Sequence, residues 1–246
     1  MAQYLHQQQD VAVRQEHSRS GYRDRRERTR TMKIAIIGTG NVGSALGTSF
    51  IRAGHDVTFA AQDAEKTRTM AAGLGAAAAD SPVEAVREAD VVVLAVPYAA
   101  TAAILDGLGS ATRGKVVVDP TNPLTADYSG LVTAGGPSAA ERISNSADGA
   151  RVVKAFNTLF ASVQADPTAH GRTIDGLIAG DDETAKATVA ELVRSIGLRP
   201  VDAGPLASAR ELEALAWLNI GLQLRNGGSW NTALVFVNAP EKAIAA

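Results

Sequence analysis

The 246-residue chain is 46% hydrophobic and 20% charged, enough apolar material for one large domain, which excludes wholesale disorder. It has no Cys and four His, two of them (His6 and His17) in a polar leader, so disulfides, iron–sulfur clusters, Cys nucleophiles and a multi-His metal centre are not expected. A net charge of -2, from 24 basic and 26 acidic residues, argues against a nucleic-acid surface spread over the chain.

Residues 1–31 carry seven Arg against four acids, a local +3 that leaves -5 for the rest, with no sustained apolar period. They read as a disordered basic leader, because a membrane-binding arm needs an apolar face. From Met32 the texture changes. Lys33-Ile34-Ala35-Ile36-Ile37 is a short apolar run suited to a buried parallel strand. It ends in Gly38-Thr39-Gly40-Asn41-Val42-Gly43 and runs into a helix over 44–53, with Gly54 at the C-terminal cap. Further strands are predicted over 55–60, 76–79, 90–96, 115–119, 151–156, 173–179 and 199–202. Ser81-Pro82-Val83-Glu84, Ser138-Ala139-Ala140-Glu141 and Ser208-Ala209-Arg210-Glu211 read as capping boxes that open helices. Helices over 181–196 and 208–224 follow, the second closing the fold. Alternating strands and helices give a Rossmann-type, doubly wound α/β fold with a mostly parallel sheet. Residues 32–157 form its dinucleotide-binding part, and 158–246 a C-terminal α/β extension with a closing helix. The longest charge-free apolar run, Val91 to Leu105, is too short to span a bilayer, and no secretory signal is evident, so a cytoplasmic location is expected.

The glycine loop carries the chemistry. In Gly38-x-Gly40-x-x-Gly43 the first glycine permits a tight turn, the second lets a pyrophosphate approach, and the third lets helix and strand pack closely. The helix N-terminus then offers N–H groups to phosphates. After the second strand, an acid would bind a ribose 2′-hydroxyl and an Arg a 2′-phosphate. This chain has Ala60-Ala61-Gln62-Asp63-Ala64-Glu65-Lys66. Gln62 suits either group, and Lys66 and Arg68 reach a phosphate by charge, so NADP and NAD both remain open. Val96-Pro97 and Asp119-Pro120 end strands that border the ligand crevice. In Lys154-Ala155-Phe156-Asn157-Thr158-Leu159, Asn157 and Thr158 are polar groups able to fix a carboxamide or a flat heterocycle. Lys154 reads as a side chain that snorkels to the surface rather than one paired with a carboxylate. His55 reads as a surface or packing residue and His170 as a loop residue.

No nucleophile elbow, short-chain Lys–Tyr relay or P-loop is present. Direct hydride transfer between two stacked rings needs no protein acid or base and suits this inventory; no catalytic side chain is assigned.

Ile34 to Gly43, Gly54-His55-Asp56-Val57, Thr121-Asn122-Pro123, Lys154-Ala155-Phe156-Asn157-Thr158 and Asp202-Ala203-Gly204-Pro205-Leu206 stand in order. Together they resemble the NADPH-dependent deazaflavin (factor 420) reductases, over about residues 32–225. The cytosolic domain of the six-transmembrane metalloreductases is similar. The resemblance implies NADP(H) in the Rossmann crevice, a deazaflavin as second substrate, direct hydride transfer and a homodimer; from charge and apolar patterning, no nucleic acid or membrane partner is expected. By position, Thr39, Gly40, Asn41 and Val42 would contact pyrophosphate and ribose, and Lys66 the phosphate. Val96 and Pro97 would border the adenosine side, and Asn157, Thr158 and Leu159 would flank the nicotinamide and the second ring. The family commonly has Gly-Ser-Arg where this chain has Ala60-Ala61-Gln62, and the stretch from Asn219 to Ala246 follows it loosely. Alternative readings are an NADPH-dependent flavin or ferric reductase, or a dinucleotide-binding regulator without turnover.

Overall fold

Strand β1 (Lys33–Ile37) is apolar on both sides: Ile34 and Ile36 enter one core, Ala35 and Ile37 another. Side chains alternate along a strand, so a strand with no polar side needs cover above and below. The computed structural model, which describes residues 30–237, supplies both covers. Seven more strands follow: β2 (Asp56–Ala60), β3 (Ala77–Ala78), β4 (Val91–Leu94), β5 (Val116–Asp119), β6 (Arg151–Ala155), β7 (Asp175–Gly180) and β8 (Arg199–Gly204). They form one eight-stranded sheet in the order β3-β2-β1-β4-β5-β6-β7-β8. β6 to β7 is antiparallel; every other neighbouring pair is parallel.

The α-helices are α1 (Asn41–Arg52), α2 (Ala64–Leu74), α3 (Pro82–Arg87), α4 (Thr101–Leu108), α5 (Ala139–Ser146), α6 (Ala161–Ala165), α7 (Glu183–Ser195) and α8 (Ala209–Asn226). Leu46 and Phe50 of α1, Ala71 of α2, Val163 of α6 and Val189 of α7 cover one face with Val93, Val118 and Val153. Val86 of α3, Leu105 of α4, Ile143 of α5 and Ala209 of α8 cover the other with Val92, Val117 and Val152. Burying each Val, Leu, Ile or Phe side chain in these layers contributes about 2 kcal/mol. This is the doubly wound arrangement expected.

Local chemistry sets the boundaries. α1 starts at Asn41, three residues before the predicted start, because Gly40 itself takes the N-cap position. β4 ends at Leu94, before the 3-10 turn Tyr98–Ala100. Ser138 and Glu141 form the full reciprocal box at α5. At α3 the box is half made: Ser81 accepts from the Glu84 N–H, but the Glu84 carboxylate accepts from Asp80 N, at 3.0 Å. The box expected at Ser208 is not formed. Ser208 already has helical backbone angles, and it closes a 3-10 turn (Leu206–Ser208) whose carbonyls accept from Ala209 N. The preceding turn thus does the work assigned to the serine. Most of the expected leader, residues 1–29, lies outside the described residues.

Candidate coenzyme site

β1 ends against its two neighbours. Gly38 N donates to Ala60 O at 2.8 Å, tying the turn to the end of β2. Its φ is +114°, and a Cβ there would lie 2.2 Å from Ala95 O, just past β4. A Cβ at Gly43 would lie 2.2 Å from Gly38 O, so the third glycine lets α1 start against the strand. Gly40 is different. Its φ of -74° suits any residue, and a Cβ there would meet nothing within 4 Å. Nothing among the described residues fills the space beside Gly40, which is left open for a ligand. α1 has no side-chain N-cap and no acid in its first turn, so its N-terminal amides and partial positive charge face that space. Ser44 Oγ donates to Gly40 O at 2.6 Å and braces the loop. A diphosphate fits this cradle on size and sign.

Beyond β2, Ala61 is half-buried, and Gln62 and Lys66 are exposed. The carboxylate of that loop, Asp63, accepts from Lys66 N at 3.0 Å and caps α2, so it serves the helix. Arg68, also exposed, pairs with Asp80 at 2.7 Å. Lys66 has no carboxylate within ion-pair distance among the described residues. Val96 is half-buried beside Gly38, with Cγ1 3.1 Å from where a Gly38 Cβ would stand, and Pro97 is exposed at the next position.

The ends of β5 and β6 build a second feature. Asn157 is buried, and its Nδ2 donates to Asn122 Oδ1 and to Leu212 O, each at 3.0 Å. Asn122 Nδ2 returns a bond to Asn157 O at 2.9 Å. Asn157 Oδ1 is left buried with no partner, an acceptor whose desolvation is not compensated within the protein. Asn157 is also among the residues lining a cavity of about 330 Å³, together with Val42, Thr158, Leu159, Ala216 and Trp230. The turn that delivers it is bent at Phe156, φ 65°. Gln164 Nε2 clamps that bend, donating to Phe156 O and Leu159 O at 3.0 Å each.

Lys154 does not snorkel. Its side chain is wholly buried, and Nζ lies 2.8 Å from Asp119 Oδ2, 2.6 Å from Thr121 O and 3.0 Å from Glu213 Oε1. Two carboxylates and a carbonyl inside the fold outbid water. Glu213 also accepts from Ala139 N at 3.1 Å and Ala140 N at 3.4 Å, at the start of α5. His55 is buried: Nδ1 accepts from Met32 N at 3.2 Å, and Nε2 bonds Ser195 Oγ at 2.9 Å. His170 ends the 3-10 turn Pro167–His170.

Of the sequence-predicted residues, Val42, Asn157, Thr158 and Leu159 meet in one cavity. The glycine loop adjoins it through Val42, while Ala61, Gln62, Lys66, Val96 and Pro97 follow the neighbouring strand ends β2 and β4. A larger cavity of about 580 Å³ lies along Thr133 to Ser138, Arg210 and Glu213. It holds none of those residues, and the amides at its helix end are already taken by Glu213. Sequence reasoning missed Tyr128, Gln164, Glu213 and the wall formed by Trp230; their only signal was side-chain type far along the chain. Among the described residues no cluster of His, Asp or Glu could hold a metal ion, and no helix is long and apolar enough to cross a membrane.

A glycine cradle and a polar-and-apolar cavity at the carboxyl ends of a doubly wound sheet define the class of Rossmann-type dinucleotide-binding proteins. Comparison with known proteins narrows it. The family model described as "NADP oxidoreductase coenzyme F420-dependent" matches residues 33–123. An "F420-dependent NADP reductase" of Methanothermobacter marburgensis is 35% identical over 226 residues, 85% of this chain and 100% of that one. A solved structure from Arthrobacter sp. FB24, provisionally named an F420-dependent NADP reductase, matches with TM-score 0.75 at 31% identity, covering 83% of this chain and 100% of that one. "Metalloreductase STEAP3" of Rattus norvegicus is 33% identical over 187 residues, 74% of this chain but 36% of that one. The chain belongs to the F420-dependent NADP reductase family.

Proposed function

We propose that the protein transfers a hydride directly between NADP(H) and a deazaflavin coenzyme of the F420 type. The observations that carry this are Gly40, open-sided among the described residues, and Asn157, whose Oδ1 has no partner among them and which lines the same cavity as Val42 of the glycine loop. One asks for a diphosphate and the other for an N–H donor such as a carboxamide. When bound, the two rings supply the redox chemistry themselves. The chain's residues position them. Gly38, Thr39, Gly40, Asn41, Val42 and Gly43 shape the diphosphate cradle, and the α1 N-terminus offsets its charge. Gln62 and Lys66, beside Ala61, lie where a ribose or its 2′-phosphate would be read, and Val96 and Pro97 border the adenosine side. Asn157 Oδ1 accepts an N–H from the nicotinamide side, while Val42, Thr158 and Leu159 exclude water around the reacting faces. Among the described residues no Asp, Glu, His, Lys or Arg lines this cavity, which suits a reaction whose hydride step needs no ionised side chain.

In this reading residues 32–157 hold the dinucleotide, and 158–246 complete the second-substrate and dimer region. The protein is a cytoplasmic homodimer. Exposed Trp217, Leu218, Leu222 and Leu224 on α8 support the dimer, because a run of large apolar side chains on one helix is costly to leave in water. Leu218→Glu with Leu222→Glu should give a monomer by light scattering.

The test of function is absorbance change when purified protein receives NADPH and the deazaflavin, with riboflavin and ferric citrate as alternatives. Oxidation of NADPH with the deazaflavin is expected. Binding of NADPH with no acceptor reduced would favour a regulator.

A further inference from the structure

Among the described residues, Tyr128, Phe156 and Trp230 are the non-glycine residues with left-handed backbone, at φ 59°, 65° and 55°. Each such residue is strained and persists only where its surroundings hold it. All three converge. Tyr128 and Trp230 line the 330 Å³ cavity, and Phe156 immediately precedes Asn157, which lines it too. Three segments far apart in sequence are bent toward one place.

The surroundings of the two lining aromatics are built to keep them there. Trp230 N donates to Gln223 Oε1 at 3.3 Å, and its carbonyl accepts from Ser162 Oγ. Its ring meets Phe160 edge-on at 5.3 Å between centroids. Gln223 Nε2 donates in turn to Thr232 Oγ1 at 2.9 Å. Tyr128 N donates to Thr125 O at 2.9 Å, and Tyr128 O accepts from Trp217 Nε1 at 3.1 Å. Yet Tyr128 is 50% exposed and Trp230 40% exposed. Core packing does not explain large rings held half in water by strained backbone.

We propose that Tyr128 and Trp230 form an aromatic rim that takes the flat tricyclic ring of the second coenzyme and so sets specificity for the hydride acceptor. The proposal rests on the hydride-transfer reading above. Both rings offer flat apolar area with few rotatable bonds, and a polar atom for the wet edge, which suits a planar, partly polar heterocycle.

The test uses the full chain, with 5-deazariboflavin as the probe. Calorimetry in the presence of NADP gives the ring affinity without turnover, and initial rates with NADPH give KM. Trp230→Leu and Tyr128→Leu should each weaken ring binding and raise acceptor KM by about tenfold, while Trp230→Phe stays within about threefold of the parent, because stacking survives any aromatic. NADP affinity should be unchanged in all three. Acceptor affinity equal to the parent in both Leu variants would overturn the rim, as would Trp230→Phe behaving like Trp230→Leu. If Trp230→Leu fails to fold by circular dichroism, Tyr128→Leu, on an exposed loop, decides alone. A parent that binds the probe, loses it in the Leu variants and never oxidises NADPH overturns the hydride reading and leaves the rim standing. A parent that turns over with unaffected variants overturns the rim alone, and a parent that neither binds nor reacts overturns both.

Discussion

Lys154 Nζ and Glu213 Oε1 lie 3.0 Å apart with both side chains out of water, and this ion pair joins the sheet to α8. Asp119 makes the site a triad, with Lys154 facing both acids. Removing the cation leaves two carboxylates buried together. Lys154→Met should therefore cost about 3–5 kcal/mol, and Glu213→Gln less, since its amide still offers an acceptor oxygen. Urea denaturation checks this; a loss under about 1 kcal/mol for Lys154→Met would mean that the ammonium reaches solvent.

The glycines separate binding from folding. Gly40→Val should change stability by no more than about 1 kcal/mol, because backbone and surroundings accept a side chain there, while NADP binding is lost. Gly43→Ala should instead destabilise by about 1–3 kcal/mol, because its Cβ would meet the Gly38 carbonyl. Thermal melts and calorimetry on the pair give both readouts. Retained NADP affinity in Gly40→Val would refute the cradle.

The 2′-position is testable by restoring what the family commonly carries. Ala61→Ser with Gln62→Arg should raise the NADP-to-NAD affinity ratio by about tenfold, as a guanidinium bonds phosphate through two donors. Lys66→Ala in the parent should lower the same ratio. An unchanged ratio in both, measured by competitive titration, would put 2′-recognition elsewhere.

His55 gives the fold a pH dependence. Burial pushes its pKa below the ordinary value, with nearby Asp56 opposing in part. The unfolded chain then takes up a proton before the folded one does. Stability contributed by neutral His55 is complete above about pH 6.5 and is lost as pH falls from there. Urea midpoints from pH 7.5 down to about 5 should decline, and His55→Gln should flatten the His-dependent part of that decline.

What was legible in the sequence was what is local. The strand–glycine loop–helix unit from Lys33 to Arg52 is contiguous, and each glycine's task follows from spacing. The β6 tip was readable because polar Asn157 and Thr158 follow an apolar run. Lys154 was misread because its partner Glu213 stands 59 residues on, beyond any helical or strand period. The Ser208 box failed for a different reason: a 3-10 turn satisfied the helix end first. Trp230 lies in the stretch that follows the family loosely, and its place was not legible because what holds it, Gln223 and Ser162, is set by packing.

The tail that carries Trp230 continues to Phe236, whose N–H donates to Asp175 Oδ2 at 2.6 Å, where Arg199 also pairs with Asp175. The described chain thus finishes by buckling itself to the first residues of β7 and β8. A protease that nicks between Gly227 and Phe236 would spare every described strand and the glycine loop, yet unfasten the Trp230 wall of the cavity, where the proposal seats the hydride's destination. Such a clipped protein would hold its dinucleotide and have lost its grip on what the electrons are for.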